Sequence, residues 1–449
     1  MSTWYEQSVF YHMYPLGMTG APKYNNVSEP ASRFQELDRW IPHIHSLGCS
    51  AVYIGPLFQS SSHGYDTKDY KNIDLRLGDN NDFCSFVSHC HREGIRVVVD
   101  GVFNHTGREF FAFRDIQQNR WDSPYKDWYK GVDFNWQSPL GDPFGYEAWQ
   151  GHFELPCLNL SHSAVRSYLF DVIRFWIQEF DIDGIRLDCA NVLDFGFMKE
   201  LRCETQAMKQ DFWLMGEVIH GDYSRWVNRE MLHSVTNYEL HKSIYSGFND
   251  HNFFEIAHNV RRLEAIGRQL YTFVDNHDED RIATKLRLKD HLAPVYMCLM
   301  TLPGIPSIYY GGEWAMEGKR SSTSDEALRP AVSMDQEDSL RCSLTALIAR
   351  LAHIHTENEE LHTGRYQELL LTNRQYAFAR YGQNSVIITA LNNDDAPAVL
   401  DIPVPIQAST AEDLLAPEGE DRLLPVEGGR IHITIKGSWG AVLKIKGDT

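Results

Sequence analysis

No apolar run in this chain approaches the roughly 20 residues that a membrane-spanning helix requires. The amino terminus, MSTWYEQSVFYHMYPLG, lacks a basic segment followed by an apolar one, so no secretory signal is expected. Positive charge is in deficit: 42 Lys and Arg stand against 61 Asp and Glu, a net charge of −19. Such a field repels nucleic acid and anionic lipid, which excludes both as partners and leaves a neutral ligand as the better fit. The eight cysteines include no CxxC pair. Cys90 falls on the apolar stripe Phe83, Phe86, Val87, Cys90, and Cys298 lies in VYMCLM, so they read as core thiols and not as a disulfide framework. Internal repeats and low-complexity segments are missing too. A cytoplasmic, globular protein is the expectation.

What is present is a long alternation. The 449 residues are 43% hydrophobic and 23% charged, enough for two or three packed domains. From about residue 9 to 310, short apolar runs alternate with helical stretches. The expected strands are SVFYHMYP (8–15), AVYIGP (51–56), IRVVVDGVFNH (95–105), GIRLD (184–188), the run at 212–217, HSVTNY (233–238), LYTFVD (270–275) and IPSIYYG (305–311). Between them, Phe34, Leu37, Ile41 and Ile44 recur at helical spacing, as do Val165, Leu169, Val172, Ile173, Trp176 and Phe180. Asp82 is read as the cap of the helix with the Phe83 stripe, Gly94 as its stop, and 194–209 as a further helix. Eight β-then-α units imply parallel strands closing as a (β/α)₈ TIM barrel. Residues 106–160, rich in aromatic residues, Asp, Gly and Pro with no clear period, read as an inserted domain. Short alternating runs after 362 (YAFARY, SVIITAL, GAVLKI) read as a C-terminal antiparallel β-sandwich domain. The expected division is barrel over 1–105 and 161–362, insert over 106–160 and β domain over 363–449.

Three acids stand just past apolar runs: Asp188 after GIRL, Glu217 after FWLMG and Asp278 in YTFVDNHD. A carboxylate at the end of a doubly buried strand is badly placed for packing and well placed for chemistry at a barrel mouth. Glycosidic hydrolysis needs one protonated and one ionised carboxyl, about 5–5.5 Å apart when configuration is retained. Adjacent strands, about 4.8 Å apart, supply that separation. Arg186, two residues before Asp188, shares its face of the strand and should hold it ionised. Glu217 has no cation next to it in sequence, and apolar surroundings should keep it protonated. An Arg–Asp pair on its own is more often a structural ion pair.

Six segments together carry a resemblance. DGVFNH (100–105), GIRLDCANV (184–192), GEVIHGD (216–222), FVDNHD (273–278), LPCLN (155–159) and HGYDTKDY (63–70) resemble motifs of the α-amylase superfamily of glycoside hydrolases, in that family's order. The resemblance implies Asp188 as nucleophile, Glu217 as general acid/base and Asp278 as a third acid that holds ring hydroxyls. It implies that Arg186 orients Asp188, that His105 and His277 bind the sugar, that Tyr65 stacks on it, and that His63 lines the same subsite. Asp100 and Asn104 would brace the loop, and Asp325 and Arg329 would meet the next sugar on the non-reducing side. Trp149 and His152 of the insert would shape the substrate side of the cleft.

CAN after Asp188 and the LPCLN segment are nearest the neopullulanase and cyclomaltodextrinase branch. Where many α-amylases have Lys-His and bind calcium there, this chain has Asn191 and Val192, so a tight calcium site is not expected and no cofactor is required. The chain starts almost at its first strand, so that branch's extra N-terminal domain is expected to be absent, and the oligomeric state is open. The implied partner is an α-glucan oligosaccharide, hydrolysed as a short maltodextrin, cyclodextrin or pullulan fragment. Two alternatives stay open: a transglycosylase or isomerase on the same scaffold, and a sugar-binding protein without catalysis.

Overall fold

The computed structural model describes residues 3–417 and 422–448. Eight strands form one parallel sheet: β1 (Phe10–Met13), β2 (Ala51–Ile54), β3 (Arg96–Gly101), β4 (Gly184–Leu187), β5 (Trp213–Gly216), β6 (Ser234–Val235), β7 (Tyr271–Thr272) and β8 (Ile305–Tyr309). They lie in the order β6-β5-β4-β3-β2-β1-β8-β7. The two ends of this row meet through a parallel bridge between Thr236 and Tyr271, where the Asn237 N–H also donates to the Tyr271 carbonyl at 2.8 Å. The sheet is therefore the expected closed (β/α)₈ barrel, and each strand falls inside its predicted segment.

Side-chain parity along the strands sorts the residues into layers. Val97, Val99, Ile185, Leu187 and Leu214 face outward into the core beneath the helices. Phe10, Ala51, Val98, Trp213, Tyr271 and Ile305 face inward and fill the barrel's lower half. Above them the inward positions turn polar: His12, Asp100 and Arg186, then Asp188 and Glu217 just past the strand ends. The short helix Trp4–Gln7 lies against the lower core, with Trp4 and Tyr5 6.2 and 5.9 Å from the Trp213 ring.

The helix Ser163–Phe180 buries the whole predicted apolar face and is capped by His162. The predicted 34–47 helix is divided into Phe34–Asp38 and Trp40–Ser46. The reading of Asp82 as a cap is corrected. Asp79 caps the helix Asn80–Arg92, and Asp82 sits three residues in, its side chain accepting from the Asp79 N–H. Both acids fit the local sequence. The extended backbone of Asp79 (φ −118°, ψ −177°) decides between them.

Between β3 and β4 the chain forms a helix, Phe111–Asn119, and a two-stranded hairpin, Ala148–Trp149 with His152–Pro156. The buried Ala112, Phe113 and Ile116 hold that helix to its neighbours, a face too short to stand out as a period. Asp142 braces the segment by accepting from Arg108, Gln117, Ser138 and Tyr146 at 2.5–2.9 Å. A second hairpin, Phe58–Ser60 with Thr67–Ile73, follows β2 and carries the HGYD segment in its turn.

Beyond residue 364, six antiparallel strands form one sheet and Ala398–Pro403 pairs with Arg430–Ile435 in a second. Leu400, Ile402, Ile431 and Ile435 of the pair pack with Ile388, Leu443 and Ile445 of the larger sheet in a separate core, the expected sandwich. The buried Arg380 donates to the carbonyls of Thr301, Leu361 and Gly364 at 2.9–3.2 Å, fastening this sandwich to the barrel's helices.

Gly184 opens GIRLD because Trp213 lies opposite it in register. A Cβ at Gly184 would stand 2.6 Å from the Trp213 carbonyl oxygen and 3.2 Å from its Cβ. Gly184→Ala is expected to destabilise the fold by about 1–3 kcal/mol, measured as a lower urea midpoint. An unchanged midpoint would show that β4 and β5 can separate there at no cost.

Candidate active site

The register of β3, β4 and β5 builds the site. Asp100 lies opposite Arg186, Arg186 opposite Met215, and the next inward positions on the last two strands are Asp188 and Glu217. The Glu217 N–H donates to the Leu187 carbonyl at 2.9 Å and the Asp188 N–H to that of Gly101 at 3.1 Å, so the ladder continues under both acids. An oxygen of Asp188 and one of Glu217 lie within 4.8 Å of each other.

Arg186 is 2% exposed and joins three carboxylates. Its Nη1 donates to both oxygens of Asp100 at 2.9 and 3.1 Å and to Oδ1 of Asp188 at 2.9 Å. Its Nη2 stands 3.0 Å from Oε1 of Glu217. This corrects the expectation that Glu217 has no cation beside it: the neighbour comes from the adjacent strand, which the sequence around Glu217 cannot show. Glu217 is nonetheless raised to about 6. Burial raises it most, and the charges of Asp188 and Asp278 add to that. Arg186 and the Cys189 N–H pull the other way and are outweighed.

Asp278 is held in the opposite state. Burial pushes its carboxyl up, but His277, Arg329 and Arg186 together bring it far below the usual range. His277 Nε2 lies 2.9 Å from Oδ2, and Arg329 Nη2 lies 2.8 Å from Oδ1. Asp325, 3.3 Å from the same Nη2, also meets Arg320 at 2.7 Å. Arg329 is thus placed on the third acid, and Asp325 shares its guanidinium.

The remaining predicted residues line the same mouth. The Tyr65 hydroxyl is 2.6 Å from His277 Nε2, and the two rings stack at 5.7 Å. His105 is buried and lowered to about 3, mainly by that burial, so it is neutral near pH 7. Its Nδ1 faces the Asn104 amide at 3.1 Å, and its Nε2 has no hydrogen-bond partner among the described residues. The same is true of His277 Nδ1. His63 is exposed, its Nδ1 accepting from the Tyr65 N–H at 3.2 Å. Trp149 lies 5.9 Å from His105 and stacks on His152 at 5.6 Å.

Four residues escaped the sequence reading. His12 stacks on Tyr53 at 4.3 Å and meets His277 edge-on at 5.2 Å. Tyr53 donates to Asp100 at 2.9 Å. The Tyr238 hydroxyl reaches Oε1 of Glu217 at 3.5 Å. Cys189, in the left-handed region at φ +49°, turns its N–H onto Oε2 of Glu217 at 3.0 Å and its thiol onto Oδ2 of Asp188 at 3.2 Å. The parity of β1 and β2 could have found the first two. The others depend on loop geometry.

Among the described residues, Asp188, Cys189 and Glu217 are the set close enough to share a metal ion. The donors do not suit a resident cation. Arg186 already engages both carboxylates, burial holds the Cys189 thiol well up and therefore protonated, and a calcium ion wants six to eight oxygens.

The α-amylase catalytic-domain model matches residues 37–345. The chain is similar to a cyclomaltodextrinase of Thermoanaerobacter pseudethanolicus, 33% identical over 372 residues, which is 80% of this chain and 63% of that protein. It therefore spans less than two thirds of that relative's length. It is also similar to neopullulanase 2 of Thermoactinomyces vulgaris, 33% identical over 414 residues, 86% of this chain and 68% of that one. Among solved structures, a cyclomaltodextrinase superposes with a TM-score of 0.85 at 26% identity, covering 99% of this chain and 78% of the other. With the family model matching well over half its length, and with two paired acids and a third beside them at the mouth of its barrel, the chain belongs to the α-amylase family of glycoside hydrolases.

Proposed function

We propose that the protein hydrolyses α-glucosidic bonds of short maltodextrins and related cyclodextrins or pullulan fragments by a retaining double displacement. The observation that carries this reading is the pair Asp188 and Glu217, within 4.8 Å on adjacent strands and bridged by one guanidinium. That spacing suits direct attack by a carboxylate and leaves no room for a water between the acid and the sugar.

In the first step Glu217 gives its proton to the glycosidic oxygen as that oxygen's bond to the anomeric carbon breaks. Asp188 closes on the anomeric carbon to form a glycosyl ester. Esterification removes the Asp188 charge, one of the groups holding Glu217 up, so Glu217 becomes easier to ionise and suited to act as base. It then takes a proton from water, whose oxygen attacks the anomeric carbon and releases Asp188. Asp278, kept ionised, accepts from ring hydroxyls and stabilises the positive charge that develops at the anomeric carbon. The unpartnered nitrogens of His105 and His277 suit further hydroxyls, and Tyr65 offers a ring face. His63 lines the pocket edge, while Asp325 and Arg329 meet the neighbouring sugar. The curated relatives named for cyclomaltodextrin and pullulan cleavage support the substrate class. No cofactor is invoked. The eight unpaired cysteines fit a reducing compartment such as the cytoplasm.

Glu217→Gln is expected to lower kcat on maltotriose by several orders of magnitude while KM changes only a few fold. Retained turnover would remove Glu217 from the acid/base role. Because the acid must hold its proton, and its value in the free protein is about 6, kcat/KM should be flat just below that pH. Above it, kcat/KM should fall about tenfold per unit. A profile flat to pH 8 would contradict the assignment. Maltotriose digests should contain only shorter sugars. Products longer than the substrate would instead assign the protein to transglycosylation.

A further inference from the structure

Besides the Arg186 guanidinium, whose Nη2 stands 3.0 Å from Oε1, two groups among the described residues donate to the Glu217 carboxyl: the Cys189 N–H on Oε2 at 3.0 Å and, at a longer 3.5 Å, the Tyr238 hydroxyl on Oε1. Tyr238 is the first residue of the helix Tyr238–Asn249, directly after β6, and Asn237 caps that helix by accepting from the Leu240 N–H at 3.0 Å. Its ring packs edge-on against Phe273 at 5.0 Å and is 8% exposed. The side chain is therefore fixed at both ends.

The direction of its proton is also fixed. The Asn276 Oδ1 accepts from the N–H groups of Asp278 and Glu279, each at 2.9 Å. That assigns the other amide atom as nitrogen, and it donates to the Tyr238 oxygen at 3.0 Å. A hydroxyl whose oxygen already accepts from an amide points its own proton elsewhere, and Oε1 of Glu217 is the acceptor it reaches. Burial raises the Tyr238 hydroxyl well above its ordinary range, so it stays a donor.

We propose that Tyr238 is a positioning residue for the acid/base Glu217, holding a hydroxyl proton toward Oε1 because Asn276, on the loop of the third acid, occupies its oxygen. This rests on the reading of Glu217 given above. A donor aimed at the ionised form favours that form and so moderates the upward push of burial. The other groups facing Glu217 are Arg186 on β4, Asp188 and Cys189 at its end, and Asp278 from the loop after β7. His241, with Glu279 and Lys285 beside it, lies on the far side of Tyr238. Removing the hydroxyl touches none of these directly but takes from Asn276 the oxygen it donates to, which a variant that keeps the hydroxyl leaves in place.

The test is the pH dependence of kcat/KM on an aryl α-maltoside. Tyr238→Phe keeps the ring and its packing and should move the alkaline limb upward by roughly 0.5–1 pH unit. Placing 3-fluorotyrosine at position 238 makes the hydroxyl a stronger donor without enlarging the core appreciably, and should move the limb downward. Opposite shifts in the two variants are the expected result, and the second decides the matter if the first folds poorly. A limb that stays in place in the folded variants overturns the proposal and leaves the role of Glu217 standing, whereas retained turnover in Glu217→Gln defeats that role itself.

Discussion

One buried guanidinium organises the catalytic end of this barrel. Arg186 carries a single positive charge into a region that also holds Asp100, Asp188, Glu217 and Asp278. Without it, several carboxylates would share a nearly dry space, an arrangement that costs several kcal/mol for each uncompensated charge. With it, the acids are bound in place by geometry and separated in protonation. Asp100 is committed wholly to holding Arg186 from below, with Tyr53 donating to the same carboxylate. Arg186 can then present its two terminal nitrogens to two acids on different strands. A lysine could not do this, because a point charge cannot fork across three carboxylates in fixed directions.

The contrast between Glu217 and Asp278 follows from what surrounds each. Glu217 is buried and Asp278 half-buried, and the loss of water pushes both upward. Asp278 has His277 and Arg329 directly on its oxygens, and they win. Glu217 has one cation at 3.0 Å and two acids nearby, and burial wins. The same desolvation thus yields a group that stays ionised and a group that keeps its proton, which is the division of labour that acid-assisted displacement needs.

Much of this was legible before folding. The apolar runs gave all eight strands, because strands buried on both faces have little choice of composition. The acids stood out because a carboxylate after such a run has no packing reason to be there. The pairing of Arg186 with Asp188 was readable from strand parity. Its contact with Glu217 was not, because the two residues are 31 positions apart and meet only through strand register. The cap at Asp79 went to Asp82 because both acids suit a helix start and only the backbone chooses. The helix Phe111–Asn119 hid in the insert because its buried face spans little more than one turn. Tyr238 carried no signal at all: its part is set by an amide from another loop.

Arg380 has a consequence for how the molecule comes apart. Among the described residues its charge meets no carboxylate, and its hydrogen bonds go to the main-chain oxygens of Thr301, Leu361 and Gly364. Peeling the sandwich away would strand that cation's partners and, in the same event, uncover Tyr376, Phe378, Leu391 and Val442, which belong to the barrel's own apolar core. The two parts should therefore melt together, so heat would silence the distant sugar cleft at the same temperature at which the carboxyl-terminal sheets dissolve.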